Sequence, residues 1–134
     1  MKIEIHGKDV PVTRHIEDHV IRAILFSLGR FAGRIRRVVI RLADVNGPRG
    51  GIDKRCRILV DLGRLGTIVS GALESTLLAA IDGAAERAGG AIGRAIDRRN
   101  GRRKRAARKG HLAAAAVEAV PTMSGGRERK GGAR

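Results

Sequence analysis

Two histidines one helical turn apart, His15 and His19, are the first residues whose spacing could support chemistry. Side chains four residues apart lie on one face of a helix, and such a pair can hold zinc. Zinc protease motifs place a glutamate directly after the first histidine or directly before the second, whereas this chain has Ile16 and Asp18 there. The sequence offers no obvious third ligand. We therefore expect two exposed histidines and no bound metal, with a zinc enzyme as the weakest alternative.

The single cysteine and the glycine-rich segment do not predict catalysis either. Cys56 falls on the apolar side of a predicted strand, where a cysteine usually acts as a small buried hydrophobe. The segment Asn46–Gly51 lacks the Gly-Lys-Ser/Thr ending of a phosphate-binding loop and joins two predicted strands. No pair of acids and no nucleophile with a nearby base converges in the pattern. We expect a protein that is not an enzyme, with no cofactor and no small-molecule substrate.

Arginines, by contrast, recur at regular intervals near the end of the predicted domain. Arg87, Arg94 and Arg98 are spaced by seven and four residues, which places them along a helix away from its apolar residues. The basic run continues with Arg99, Arg102, Arg103, Lys104 and Arg105. Acidic residues are scarce after Glu86, although surface helices usually mix both signs. This pattern favours a surface that follows nucleic-acid phosphates over an ordinary solvated helix face.

The composition supports a polyanionic partner and limits how it can be recognised. The 134 residues include 28 Lys and Arg against 13 Asp and Glu, for a net charge of +15 and a pI near 11.7. A membrane is the rival partner, but no stretch is apolar and long enough to span one, and the first residues lack the features of a secretory signal. One cysteine fits a reducing cytoplasm. With only Phe26 and Phe31 as aromatics, the chain is expected to read phosphates and shape rather than stacked bases.

Periodicity of the apolar residues predicts six elements that position these groups. They are a strand over Lys2–Gly7, a helix over Thr13–Phe31, strands over Ile35–Val45, Lys54–Leu62 and Thr67–Ala72, and a helix that begins at Ser75 or Thr76. In the second helix, Gly83, Gly89, Gly90 and Gly93 should each cost about 1 kcal/mol relative to alanine, so packing must stabilise it.

The element order strand, helix, three strands, helix predicts a two-layer α+β domain. Its four-stranded sheet carries both helices on one face, and Arg37, Arg41, Arg55 and Arg57 lie on the other, solvent-facing side. We expect this domain to cover residues 1–99, followed by a basic, Ala/Gly-rich flexible tail over 100–134. Charge divides accordingly, with 16 basic and 11 acidic residues up to Asp97 and 12 basic and 2 acidic residues after it.

Two segments, together with the element order, resemble a known family. These are Ala79-Ala80-Ile81-Asp82-Gly83, in the first turns of the second helix, and the stretch from Asp44-Val45-Asn46-Gly47-Pro48-Arg49-Gly50-Gly51 through Asp53-Lys54-Arg55-Cys56-Arg57. Over about Met1–Arg99 the chain is similar to the ribosome hibernation promoting factor and ribosome-associated inhibitor A family, formerly called sigma-54 modulation proteins. It matches a short form, since the residues after Asn100 are too basic and too poor in apolar residues to form a second domain.

The resemblance implies a fold like that of double-stranded RNA-binding domains and a place in the messenger and transfer-RNA channel of the small ribosomal subunit. Basic residues of both helices would contact ribosomal RNA there, which in this chain are Arg22, Arg30, Arg87, Arg94, Arg98, Arg99, Arg102 and Arg103. The protein would hold ribosomes dormant under stress or in stationary phase, in some cases with other hibernation factors. The chain departs from the family at Thr76-Leu77-Leu78, where Asp-x-Tyr is common, and at Gly90, where a basic residue is common.

Two other classes of function remain as alternatives. One is a general double-stranded RNA- or DNA-binding protein that shares only the layout of the domain. The other is a modulator of a transcription sigma factor, which would want an apolar contact patch that the sequence does not supply.

Overall fold

A computed structural model describes residues 1–45 and 52–118 of the chain, with side chains up to residue 108. The elements are β1 (Lys2–Lys8), α1 (Arg14–Leu28), β2 (Arg37–Asp44), β3 (Lys54–Asp61), β4 (Thr67–Glu74) and α2 (Leu77–Glu118), with short 3-10 helices over Gly29–Arg34 and Gly63–Leu65. The predicted Asn46–Gly51 loop lies outside the described residues.

The four strands form one mixed sheet in the order β1-β2-β3-β4. Parallel β1 and β2 are joined through α1, while β2, β3 and β4 run antiparallel. Parallel neighbours need a crossover connection, and α1 supplies it. The predicted two-layer α+β fold is confirmed.

The core lies between one sheet face and the apolar sides of the two helices. Alternate strand residues such as Ile40 and Ile58, which pair across β2 and β3, are fully buried. The helices contribute a larger set of buried side chains, namely Val20, Ile24 and Leu28 from α1 and Ile81, Ala84, Ala88 and Ile92 from α2. These are the residues whose spacing of three and four predicted amphipathic helices.

Several predicted boundaries shift by a few residues, for local reasons. The Thr13 hydroxyl accepts a hydrogen bond from the Ile16 amide, which fixes the start of α1 as expected. The regular helix ends at Leu28 rather than Phe31, because the chain tightens into the 3-10 helix at Gly29. Strand β4 runs two residues past Ala72, and Thr76 then accepts from the Ala79 amide at the start of α2.

Helix α2 continues well beyond the expected end of the domain. It runs to Glu118, and the chain divides into compact units at Met1–Gly93 and Arg94–Arg134. The division into a domain over 1–99 and a flexible tail over 100–134 stays a prediction, and residues 119–134 lie outside the described part.

Burial makes Cys56 a core residue rather than a nucleophile. Its side chain is inaccessible to solvent, and desolvation raises the pKa of the Cys56 thiol to about 12 from the usual 9.0. We predict that a thiol reagent modifies Cys56 only when the protein unfolds, as measured by labelling across a denaturant series. Because the folded-state pKa is raised, the thiol's contribution to stability should be lost as the pH rises from about 9 towards 12. Rapid labelling of the native protein by the thiol reagent would contradict the burial of Cys56.

Candidate nucleic-acid interface

The solvent-facing side of the sheet carries the four arginines that alternation predicted. Arg37, Arg41, Arg55 and Arg57 are all exposed, on the face opposite the core. Arg37 donates to the Glu4 carboxylate at 3.3 Å and is thereby partly neutralised. The remaining three form no ion pair with another described residue.

Arg87 contacts the edge of the sheet, a placement that its interval along α2 did not predict. Its guanidinium Nη1 donates to the carbonyl of Gly71 in β4 at 2.6 Å. Arg87 also lines an open hollow together with Arg55 and Arg57. The structure therefore brings this helical arginine next to the sheet arginines.

The two arginines predicted to bind RNA near α1, Arg22 and Arg30, lie in different surroundings. Arg22 is exposed beside a groove that His19, Phe26, Asp82 and Glu86 also line. Two acidic residues in that groove weaken its attraction for phosphate. Arg30 lies beyond the end of α1, and its guanidinium carbon is 4.6 Å from the centre of the Phe31 ring, a cation–π arrangement.

The groove beside Arg22 also contains Phe26, which the sequence alone did not assign to a site. Phe26 is 92% exposed, while its neighbours Ile21 and Leu25 are 40% and 53% exposed. In the sequence, position 26 falls outside the spacing of the buried residues Val20, Ile24 and Leu28. That offset is the one signal that indicates an exposed side chain. An exposed ring beside Arg22 can stack on an unpaired base, so the scarcity of aromatics does not exclude stacking altogether.

The other predicted residues lie along α2, in the unit that begins at Arg94. Arg94, Arg98, Arg102 and Arg103 are exposed, whereas Arg99 is half-buried. Between residues 94 and 108 the helix holds eight basic residues and a single acid, Asp97. This segment is a strongly electropositive helix.

The two histidines have different surroundings. His19 Nε2 lies 2.8 Å from Asp82 Oδ1 and links α1 to α2, while His15 is exposed. Within residues 1–45 and 52–118, no group of three His, Cys, Asp or Glu side chains could hold a metal ion. In the same part of the chain, no helix combines the length and hydropathy needed to cross a bilayer.

The half-buried Lys54 links two aspartates at the facing ends of β2 and β3. Lys54 Nζ donates to Asp53 at 3.0 Å and to Asp44 at 3.2 Å, and these hydrogen bonds raise the pKa of Lys54. Asp53 is fully buried, so Lys54 supplies the countercharge it needs. The pair holds β2 against β3 where their arginines emerge on the exposed face.

Comparison with known structures supports this architecture. The N-terminal domain of Protein Y from Thermus thermophilus is 27% identical, with a TM-score of 0.59, and the match covers 70% of this chain and 98% of that one. A ribosomal subunit interface protein from Coxiella burnetii has the same TM-score and covers 70% of this chain and 96% of its own, at 15% identity, which shows the fold alone. No curated protein sequence matches the chain.

The family model described as sigma 54 modulation protein / S30EA ribosomal protein matches residues 3–100. That range contains the sheet, α1 and the first part of α2, and it agrees with the extent over which the sequence resembled this family. The chain belongs to the sigma-54 modulation protein / S30EA ribosomal protein family.

Proposed function

We propose that the protein binds the small ribosomal subunit in its decoding channel and keeps the ribosome dormant. Binding would rest on contacts with ribosomal RNA phosphates and would involve no catalysis. Family membership supports the ribosome as the partner, because the matching family is that of sigma 54 modulation protein / S30EA ribosomal protein.

The observation that carries this proposal is the electropositive part of α2. Its eight basic residues between 94 and 108 are opposed only by Asp97, and all but Arg99 are exposed. Arginine guanidinium groups match phosphate geometry and bind it through charge-assisted hydrogen bonds. Such a helix fits an RNA-lined channel far better than it fits a protein surface of mixed charge.

The inhibitory effect would be steric. A domain seated where messenger and transfer RNA bind excludes both, so affinity alone suffices and no reacting group is needed. The predicted contact residues for this role are Arg22 and Arg30 with Arg87, Arg94, Arg98, Arg99, Arg102 and Arg103. The family resemblance implies other hibernation factors as further partners.

Sucrose-gradient sedimentation of a stationary-phase lysate tests this function directly. We expect the protein to migrate with small subunits or whole ribosomes and to be released at high salt. If about six phosphates are neutralised, the logarithm of the binding constant should fall with the logarithm of salt at a slope of about −4 to −5. Failure of the purified protein to bind isolated small subunits would contradict the proposal.

The alternatives predict different partners in the same measurements. A general duplex-binding protein should bind plain RNA or DNA duplexes as tightly as it binds ribosomes. A sigma-factor modulator should bind a protein and tolerate salt, because apolar contacts carry such interfaces.

A further inference from the structure

The solvent-facing side of the sheet holds three arginines with no described acidic partner. We call the surface formed by Arg41, Arg55 and Arg57 the open face. Arg41 lies directly opposite Arg57 in the β2–β3 register, and Arg55 is two residues from Arg57 on the same side of β3. None of the three forms an ion pair with a described residue.

A fourth arginine joins this surface from α2. Arg87, bonded to the Gly71 carbonyl, lines a hollow with Arg55 and Arg57. Arg57 also lines a neighbouring hollow with Arg41. Four positive charges therefore surround two adjoining depressions within the unit Met1–Gly93.

This arrangement is unfavourable for the isolated fold. Like charges directly opposite each other on neighbouring strands repel and destabilise a sheet. The neighbouring strand β4 is apolar on this side, with Val69 61% and Leu73 47% exposed. An anion bound across Arg41 and Arg57 would relieve the repulsion, and apolar side chains beside it can contact riboses and bases.

We propose that the open face binds the phosphates of a second RNA segment, distinct from the one contacted by the α2 residues beyond Gly93. That this RNA is ribosomal rests on the function proposed above. A nucleic-acid strand presents a charge at every nucleotide together with apolar sugar and base surface, which matches a group of arginines with exposed valine and leucine beside it. An acidic protein segment is the competing occupant.

The test compares two triple variants that remove the same charge. R41Q/R55Q/R57Q alters the open face, while R14Q/R36Q/R64Q alters exposed arginines elsewhere. Binding is measured to protein-free small-subunit rRNA and to intact small subunits, over a range of salt. We expect the open-face variant to bind rRNA at least tenfold more weakly than the control variant, with a salt slope smaller by about 2 to 3.

Each other outcome has a defined meaning. Equal loss in the two variants overturns the proposal, because net charge alone would then explain the effect. Loss on intact subunits with unchanged rRNA binding also overturns it and indicates an acidic protein partner. If the wild-type protein binds rRNA but not small subunits, the proposed function fails, while the rRNA comparison still decides the open face.

A single variant guards against misfolding of the triple. R57Q removes the facing charges, so its thermal unfolding midpoint should rise while its affinity for rRNA falls. A lowered midpoint with unchanged rRNA affinity would make Arg57 structural and would contradict the proposal.

Discussion

Replacing Arg87, Arg94 and Arg98 with alanine should weaken binding to small subunits by about 200- to 800-fold at low salt. Losing one arginine–phosphate contact should cost about 1.5 kcal/mol of binding free energy or somewhat less. Losing three contacts should therefore cost roughly 3 to 4 kcal/mol. The salt slope should shrink by about 3. Arg94 and Arg98 are exposed, so their replacement should leave the thermal midpoint near that of the wild type. Replacement of Arg87 also removes its hydrogen bond to the Gly71 carbonyl and should lower the midpoint slightly. Filter binding or sedimentation across a salt series measures the effect.

The control is R14A/R36A/R64A, which removes the same charge from exposed positions outside the proposed contacts. Dividing the triple into R87A and R94A/R98A separates the two parts of α2, since Arg87 contacts β4 whereas Arg94 and Arg98 belong to the second unit. Unchanged binding in the triple would show that other surfaces, such as the open face or the residues beyond Arg99, carry the affinity.

The fold was largely predictable because burial imposes a period on each element. Alternation in β2 and β3 and the spacing of Val20, Ile24 and Leu28 follow directly from which side chains are inside. The four arginines on the exposed sheet face followed from the same alternation. Boundaries such as the 3-10 helix after Leu28 depend on local hydrogen bonds that periodicity does not encode.

The candidate surface was less predictable because it depends on contacts between distant segments. Spacing placed Arg87 on a stripe with Arg94, but its bond to Gly71 requires knowledge of where β4 passes α2. The same holds for His19, whose partner Asp82 is 63 residues away. Composition likewise counted two phenylalanines without showing that Phe26 is exposed.

Glycines in α2 give the clearest case in which packing reverses a sequence rule. Intrinsic propensity predicts that alanine at position 89 would stabilise the helix by about 1 kcal/mol. A Cβ on Gly89, however, would lie 2.7 Å from the backbone carbonyl oxygen of Ser27, because α1 and α2 approach closely there. Moving a backbone in a packed core costs about 1 to 3 kcal/mol. The net effect is the packing cost minus the propensity gain, so we expect G89A to lower the free energy of unfolding by up to about 2 kcal/mol.

The matched control is Gly93, one helical turn further along α2. A Cβ there would meet only the Phe31 ring, at 3.8 Å, which is ordinary van der Waals contact. G93A should therefore raise the free energy of unfolding by up to about 1 kcal/mol, opposite in sign to G89A. Urea denaturation of both variants provides the comparison, and each kcal/mol should shift the thermal midpoint by about 4 to 8 °C. If G89A stabilised the protein as much as G93A, the close approach of α2 to Ser27 would be wrong, since helix propensity alone would then account for both substitutions.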